Sequence, residues 1–578
     1  MSSRRLLGSE VVCRTLRECG VRCVFGVPGS QTVGLFEALR RSPVRTVLTT
    51  QELSAAFMAN GYYRASGEVA AVVTIPGRGF AYALGGIGEA GHDSAALVHI
   101  TVLPGRSPRE RYQLQCIEQA AMARAVVKRV LDVHRVEEIA AAVAEATAVA
   151  RDGEPGPVLI QVGAEALASA AEAADGPAAA LRPVAVDPEA LGRVLDRLAS
   201  ARRPVILAGQ GAAGAARELR EVVEHCSIPV LTTPSGRGVL PEDHPFALPT
   251  EPERAGVGVV NALLDEADLI LALGCKLSHN GTFGFALRLP CERLIRVNTC
   301  IGWPADHYPA ALDVQASVEG LLSHLLAVPG PRCGMASTWS PAEVDRWRDR
   351  LRAARPDGLP EPALRGVADG APAGLFRALR RALPRDGIVV TDTGLHQVLA
   401  RRHFDVLSPR GLILPSDFQA MGFGVPAAIG AALAAPQRPV VAVVGDGGLL
   451  ASGTELVTAV RERLPLVVIV FHDGFLNQIR LRQFAGSGRA HAVELSELDL
   501  AAYSSALGLG YVAVGRDAEA DLRAALASGR ATLVEVRVGD SPAVWALHGA
   551  GLARSAGHRL LGPGLVGRLK RLLGRSGS

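Results

Sequence analysis

Two apolar runs, each cut short by an aspartate, constrain this chain more than any other feature. Residues 440–444 end in Gly445-Asp446-Gly447-Gly448. A helical pattern follows as far as Pro465. Residues 466–471 then end in His472-Asp473-Gly474. Strand, loop, helix, strand and loop in that order form a parallel βαβ unit. The crossover makes the two strands parallel, so both finish at one edge of the sheet. Open α/β sheets bind ligands outside that edge. Asp446 and Asp473, 27 positions apart (473 − 446), are thus delivered to one place.

Two hard oxygen ligands beside a glycine turn, whose bare N–H groups suit phosphate, describe a Mg²⁺-diphosphate site. The plainer alternative is a tight turn with two helix-capping aspartates. The second strand and second aspartate at this spacing favour the ligand site. The stretch resembles the thiamine diphosphate motif, in which GDG is followed some two dozen residues later by Asn or Asp. The resemblance implies that Asp446, Asp473 and the main-chain carbonyl of Phe475 hold Mg²⁺, with Gly447, Gly448 and Leu476 against the cofactor. Most relatives carry Asn at the second position. Asp473 adds a negative charge, expected to hold the metal tighter.

Upstream, short strand patterns alternate with helices. Residues 23–25, 44–49, 69–74 and 95–102 read as strands of a doubly wound sheet, and residues 156–160 close it. Glu52 opens a helix whose Ala55, Ala56 and Ala59 let another backbone approach closely. A carboxylate there is commonly a helix-dipole partner, worth roughly 0.3–1 kcal/mol. However, Gly26-Val27-Pro28-Gly29 followed by this glutamate resembles the pyrimidine-binding domain of thiamine diphosphate enzymes. In that family the glutamate hydrogen-bonds N1′ of the aminopyrimidine and drives the proton relay that activates thiazolium C2, a general acid–base role. This chain departs from the family at Gln51, where His is usual, and at Gly77-Arg78-Gly79, where Gly-Pro-Gly is usual. Tyr82 stands where the family has Asn. Arg78 and Tyr82 are therefore candidates for the substrate pocket. Residues 114–130 resemble an acetolactate synthase segment and add Gln115, which as a bare residue reads equally well as a helix-surface amide.

The chain has 578 residues, too many for one core, and about three domains are expected. We read a first domain over 1–185, a middle domain over 186–330, a linker over 331–372, a third domain over 373–550 and a basic tail over 551–578. The fold class is α/β, with three doubly wound parallel-sheet domains: pyrimidine-binding, middle and diphosphate-binding. A net charge of +4, from 61 basic and 57 acidic residues, gives no reason to expect nucleic acid. Nine cysteines, none in a CxxC, suit a reduced cytoplasmic protein. No leader or membrane span is read.

In the middle domain, acetolactate synthases hold FAD near a Gly-Met-His-Gly-like segment. Residues 248–258 lack it, so FAD is not expected. Lys276 takes the place of an arginine of the synthases' substrate channel, against the alternative of a solvated surface lysine. In the third domain, residues 387–397 resemble the stretch that touches the diphosphate, placing Thr393, Gly394, Leu395 and His396 there. Residues 416–434 resemble the family's GTMGFGLPAAIGA segment. This implies that the Gln419 carbonyl accepts from the 4′-amino group and that Met421 is the wedge bending the cofactor, rather than core filler. In the tail, residues 560–575 interleave leucines with Arg568, Lys570, Arg571 and Arg575. Membrane-surface docking is less favoured than a frayed or subunit-covering end.

The resemblance spans nearly the whole chain and implies an acetolactate synthase-like enzyme that decarboxylates a 2-oxo acid and joins the product to an acceptor carbonyl compound. A simple 2-oxo acid decarboxylase or another lyase is the alternative, and a catalytically degenerate binding relative is one of another class. Because Glu52 and Asp446 fall in different domains, the resemblance implies a homodimer or homotetramer with sites at the subunit interface.

Overall fold

The computed structural model describes residues 5–103, 113–172, 187–249, 256–301, 307–328, 337–354 and 360–553. The tail over 560–575 and most of 248–258 lie outside the described residues, as does most of the Ala/Pro-rich stretch 170–189.

Three separate sheets organise the chain. The first has six parallel strands in the order Arg45–Leu48, Cys23–Gly26, Ala70–Thr74, Leu97–Leu103, Pro157–Gly163, Arg129–Val133. The second has five, in the order Val230–Thr232, Pro204–Ala208, Leu269–Leu273, Leu294–Asn298, Leu312–Gln315. The third runs Ala363–Leu364, Thr532–Gly539, Leu466–His472, Val440–Gly445, Ile388–Thr391, Leu412–Ile413, with Gly510–Ala513 also on Thr532–Gly539. Only the two-residue strand Ala363–Leu364 is antiparallel there. The central strands are buried on both faces, which is why their sequences are unbroken apolar runs rather than alternations. Two of the strands not read from the sequence, Arg129–Val133 and Leu312–Gln315, are edge strands. They are open to water along one side and carry charged residues, so no apolar run marks them.

The first and third domains share one core. Helix Glu52–Ser66 packs on helix Gly424–Ala434 so closely that a side chain on Gly61 would meet the Ala427 carbonyl, and one on Gly430 would meet that of Met58. The small residues around Ala55 and Ala59 are thus there for a backbone, as expected. A buried ion pair, Arg64 Nη1 to Asp93 Oδ2 at 3.2 Å, lies at this junction, and Asp93 Oδ1 also accepts the Ser416 N–H at 3.0 Å. Removing one partner of such a pair typically costs about 3–5 kcal/mol.

Within 331–372, helix Pro341–Ala353 is not a free spacer. Val344, Trp347 and Leu351 pack into the core of the second sheet, beside Trp339. None of the eight described cysteines is in a disulfide. No helix of the described residues is long and apolar enough to cross a membrane.

Candidate functional site

The strands Val440–Gly445 and Leu466–His472 are hydrogen-bonded neighbours, in register from Val440 opposite Leu466 to Gly445 opposite Phe471. Asp446 and Asp473 therefore leave the sheet side by side. Asp446 Oδ2 accepts the N–H groups of Asp473 and Gly474, both at 2.7 Å. Asp473 accepts from Phe475 N–H at 2.8 Å and from Asn477 Nδ2 at 2.7 Å. Burial pushes the Asp473 carboxyl up to about 7, and the Asp446 carboxylate beside it adds to the rise. A divalent cation between two such carboxylates removes the repulsion and favours both in the charged form. Oxygen ligands of this kind suit Mg²⁺. No cluster of three His, Cys, Asp or Glu side chains that could hold a metal exists among the described residues. Phe475, whose carbonyl is the third ligand implied by the resemblance, follows Asp473 by two positions.

The two glycines beside Asp446 differ in what a side chain would meet: ends of flexible side chains at Gly447, a buried and hydrogen-bonded carboxyl at Gly448. A Cβ on Gly447 would lie 2.6 Å from Leu476 Cδ2 and 3.2 Å from Met421 Sδ, and one on Gly448 would lie 2.8 Å from the Asp392 carboxyl carbon. Asp392 is a residue the sequence reading passed over. It is fully buried and accepts three N–H groups, from Thr393 at 2.7 Å, Gly422 at 3.0 Å and Gly424 at 2.9 Å. Even so, burial holds its carboxyl up at about 6. It ties together three stretches: the one carrying Thr393 to His396, the one carrying Gln419 and Met421, and the turn after Asp446. The available signal was its position, an aspartate directly after the strand Ile388–Thr391, as Asp446 follows its own.

His396 is buried, its Nε2 has no partner among the described residues, and burial pulls it down to about 4, so the ring is neutral at pH 7. A buried polar atom without a partner needs a reason, and a diphosphate in the adjoining cavity would be one where Nε2 carries the ring proton. That cavity encloses about 240 Å³. Its lining brings together Thr393, Gly394, Leu395, His396, Met421, Asp446, Gly447, Gly448, Asp473, Phe475 and Leu476. Gln419 stands two residues from Met421, in a left-handed conformation with φ 59°. The volume falls short of the roughly 300–1,000 Å³ of a small-molecule site.

Glu52 does not line this cavity. It begins helix Glu52–Ser66, 8% exposed, with Oε1 2.6 Å from where a Cβ on Gly79 would lie. Thr50, two residues earlier, is held by the fully buried Glu455, which accepts its N–H at 3.0 Å. Gly77 has φ 67°, its N–H is bound by Gln119 Oε1 at 2.9 Å, and a Cβ on it would sit 2.7 Å from the Gln115 carbonyl oxygen. Gln119 in turn donates to Gln161, which donates to Asp132, so a row of buried amides fixes the loop facing Glu52. Gln115 is not on a helix surface. It occupies a turn with φ 58° and accepts from Gln31 at 2.6 Å. Arg78 and Tyr82 are exposed on the same rim.

Lys276 belongs to neither place. Its Nζ donates to the His92 carbonyl at 2.7 Å and pairs with Glu154 at 2.8 Å, fastening the middle domain to the first. It is thus a tethered lysine rather than a freely solvated one, and it does not line the cavity beside Asp446.

Comparison with known proteins follows the same three-part division. Residues 7–122 match the thiamine pyrophosphate enzyme N-terminal TPP binding domain, residues 191–325 the central domain and residues 392–536 the C-terminal TPP binding domain. Over 548 residues the chain is 33% identical to a probable 2-ketoarginine decarboxylase of Pseudomonas aeruginosa, covering 92% of this chain and 94% of that one. It is 29% identical to a probable acetolactate synthase large subunit of Methanocaldococcus jannaschii, covering 82% and 81%. It is 27% identical to the acetolactate synthase isozyme 1 large subunit of Escherichia coli, covering 83% and 84%.

Proposed function

The chain belongs to the thiamine diphosphate-dependent enzymes, and from that membership we propose that it decarboxylates a 2-oxo acid with thiamine diphosphate and Mg²⁺. The observation that carries the proposal is the meeting of both aspartates, the paired glycines, His396 and Met421 around one cavity. In this reading Asp446, Asp473 and the Phe475 carbonyl hold the metal. Gly447, Gly448, Leu476 and the run from Thr393 to His396 hold the diphosphate. Met421 and the Gln419 carbonyl orient the aminopyrimidine. When bound, the cofactor supplies an electron sink for the carbanion left by loss of CO₂. Glu52 is the catalytic residue and holds the proton at N1′.

We propose that the working unit is at least a homodimer in which Glu52 of one copy faces Asp446 of another. The small cavity without Glu52 supports this, as do the exposed apolar side chains at both places. Met421, Leu450 and Ile479 are exposed at the first, and Leu48, Tyr82 and Leu114 near the second. Cysteines outside any disulfide among the described residues accord with a cytoplasmic setting. FAD has no part in the proposal.

For the fate of the decarboxylated fragment, we propose ligation to an acceptor carbonyl compound, as in an acetolactate synthase. Plain decarboxylation is the second reading. Lys276 favours it, because the side chain standing for the synthases' channel arginine is occupied elsewhere. The match to the 2-ketoarginine decarboxylase points the same way. A screen of 2-oxo acids, the arginine-derived one included, with and without acceptor aldehydes separates the two by product. Loss of CO₂ release without Mg²⁺, and in Glu52→Gln, is expected. Full turnover in that variant sinks the reading.

A further inference from the structure

Helix Arg78–His92 carries a carboxyl that the proposed reaction leaves unused. Glu89 lies on that helix and is fully buried. Its Oε2 accepts the N–H of Ala420 at 2.7 Å, across 331 positions of chain. Its Oε1 has no hydrogen-bond partner among the described residues. Ala420 stands between Gln419 and Met421, in the segment leading from strand Leu412–Ile413 to helix Gly424–Ala434.

The peptide unit joining Gln419 to Ala420 is planar and trans, as all described peptide bonds are. Its C=O and N–H therefore point in opposite directions. Holding the Ala420 N–H against Glu89 turns the Gln419 carbonyl away from helix Arg78–His92. A second bond, from Thr393 Oγ1 to the Ala420 carbonyl at 3.3 Å, fixes the next peptide unit. Gln419 itself is left-handed, a conformation costing a non-glycine residue roughly 1–3 kcal/mol unless its surroundings hold it. Its side chain helps by donating to the Pro415 carbonyl at 2.7 Å.

We propose that Glu89 is a positioning residue whose carboxyl locks the Gln419–Ala420 peptide, so that the Gln419 carbonyl is presented to the aminopyrimidine of the cofactor. The inference rests on the assignment of Gln419 made above. The electrostatics agree with it. Burial first, and the Asp93 carboxylate second, push Glu89 up to about 9, outweighing the Ala420 N–H and then Arg64, which favour the charged form. At pH 7 Glu89 is a neutral acid, which can accept one N–H without a charge being buried.

The test is calorimetric binding of thiamine diphosphate with Mg²⁺ to the full chain, with inorganic diphosphate and Mg²⁺ as a second ligand. Glu89→Gln keeps the length and an acceptor oxygen, and is expected to bind both ligands like the unmodified protein. Glu89→Leu fills the same space but leaves the Ala420 N–H unpaired. It is expected to bind thiamine diphosphate about tenfold more weakly, the effect of one hydrogen bond, while inorganic diphosphate binds unchanged. Unaltered thiamine diphosphate binding in Glu89→Leu overturns the inference. So does parallel loss of both ligands, the mark of a loosened third domain. If Glu89→Leu does not fold, Glu89→Thr, too short to reach Ala420, replaces it under the same criteria. An unmodified protein that binds no thiamine diphosphate ends the functional reading and this inference together, whereas failure of the inference alone leaves that binding intact.

Discussion

The two places that together would hold the cofactor are built on the same kind of sheet edge, yet one is finished within the chain and the other is not. At the edge of the third sheet, Asp446 already receives two N–H groups, Asp392 receives three, and a side chain on Gly448 would press on the Asp392 carboxyl. At the edge of the first sheet, Glu52 is set beside Gly79 on a firmly held loop, but the rim around it, with Arg78, Tyr82 and Leu114, lies open. The difference has a physical reason. An anchor for a metal diphosphate gains from being organised before the ligand arrives, because dipoles already in place cost no reorganisation. A proton-transfer group needs only its one contact, and the second protein surface around it can arrive with another copy of the chain.

This contrast is broken most severely at the closed side. Asp446→Ala removes a metal ligand and strands the Asp473 and Gly474 N–H groups. Calorimetry should show Mg²⁺-dependent thiamine diphosphate binding weakened by more than about 100-fold, beyond what loss of an outer-shell partner produces. Binding within a few-fold of the unmodified protein would mean that the anchor lies elsewhere. The open side should fail differently. Glu52→Gln keeps cofactor affinity nearly unchanged but lowers turnover by roughly 10²–10⁴, the range of a general acid–base group. If Glu52→Gln loses affinity and turnover together, the two places do not divide the work as argued.

The closed side was also the more legible one in the sequence. Residues 440–444 and 466–471 are uninterrupted apolar runs because their strands lie in the middle of a sheet, and an aspartate after such a run has few places to go. Gly448 was legible as a turn residue, but its neighbour Asp392 was not picked out, because the contact between them spans 56 positions (448 − 392). Glu89 was hidden more completely. It sits mid-helix among glycines and alanines, where a carboxylate ordinarily faces water, and only the packing of the first domain on the third buries it. The strand Arg129–Val133 was missed for the opposite reason, since its edge position leaves charged residues in its sequence.

Asp392 gives a finer test of how far the closed side is prearranged. Gly448→Ala puts a Cβ 2.8 Å from the Asp392 carboxyl carbon, and the carboxylate cannot move without releasing N–H groups of Thr393, Gly422 or Gly424. Overpacking of this kind costs about 1–3 kcal/mol. We expect a lower melting temperature in the cofactor-free protein and about tenfold weaker thiamine diphosphate binding. Unchanged values for both would show that the three stretches are not held through Asp392.

The smallest effect on turnover at neutral pH should come from Glu89→Gln, yet its stability profile tests whether the closed side depends on the first domain at all. Glu89 is an acid whose folded-state value, about 9, lies above its ordinary 4.5. Between those values the unfolded chain has released a proton that the folded chain keeps. Stability from this group is therefore full below about pH 4.5 and is lost progressively as pH rises through 9. Gln has nothing to release. The melting temperature of Glu89→Gln relative to the unmodified protein should rise steadily from pH 5 to pH 9, by the equivalent of at most about 1.4 kcal/mol per pH unit. Asp93 and Arg64 remain in both proteins, so their own contributions largely cancel in the difference. A gap that stays flat across this range would mean that Glu89 is ionised in the folded protein at neutral pH. The loop carrying Gln419 and Met421 would then be held by a charge rather than by a neutral acid.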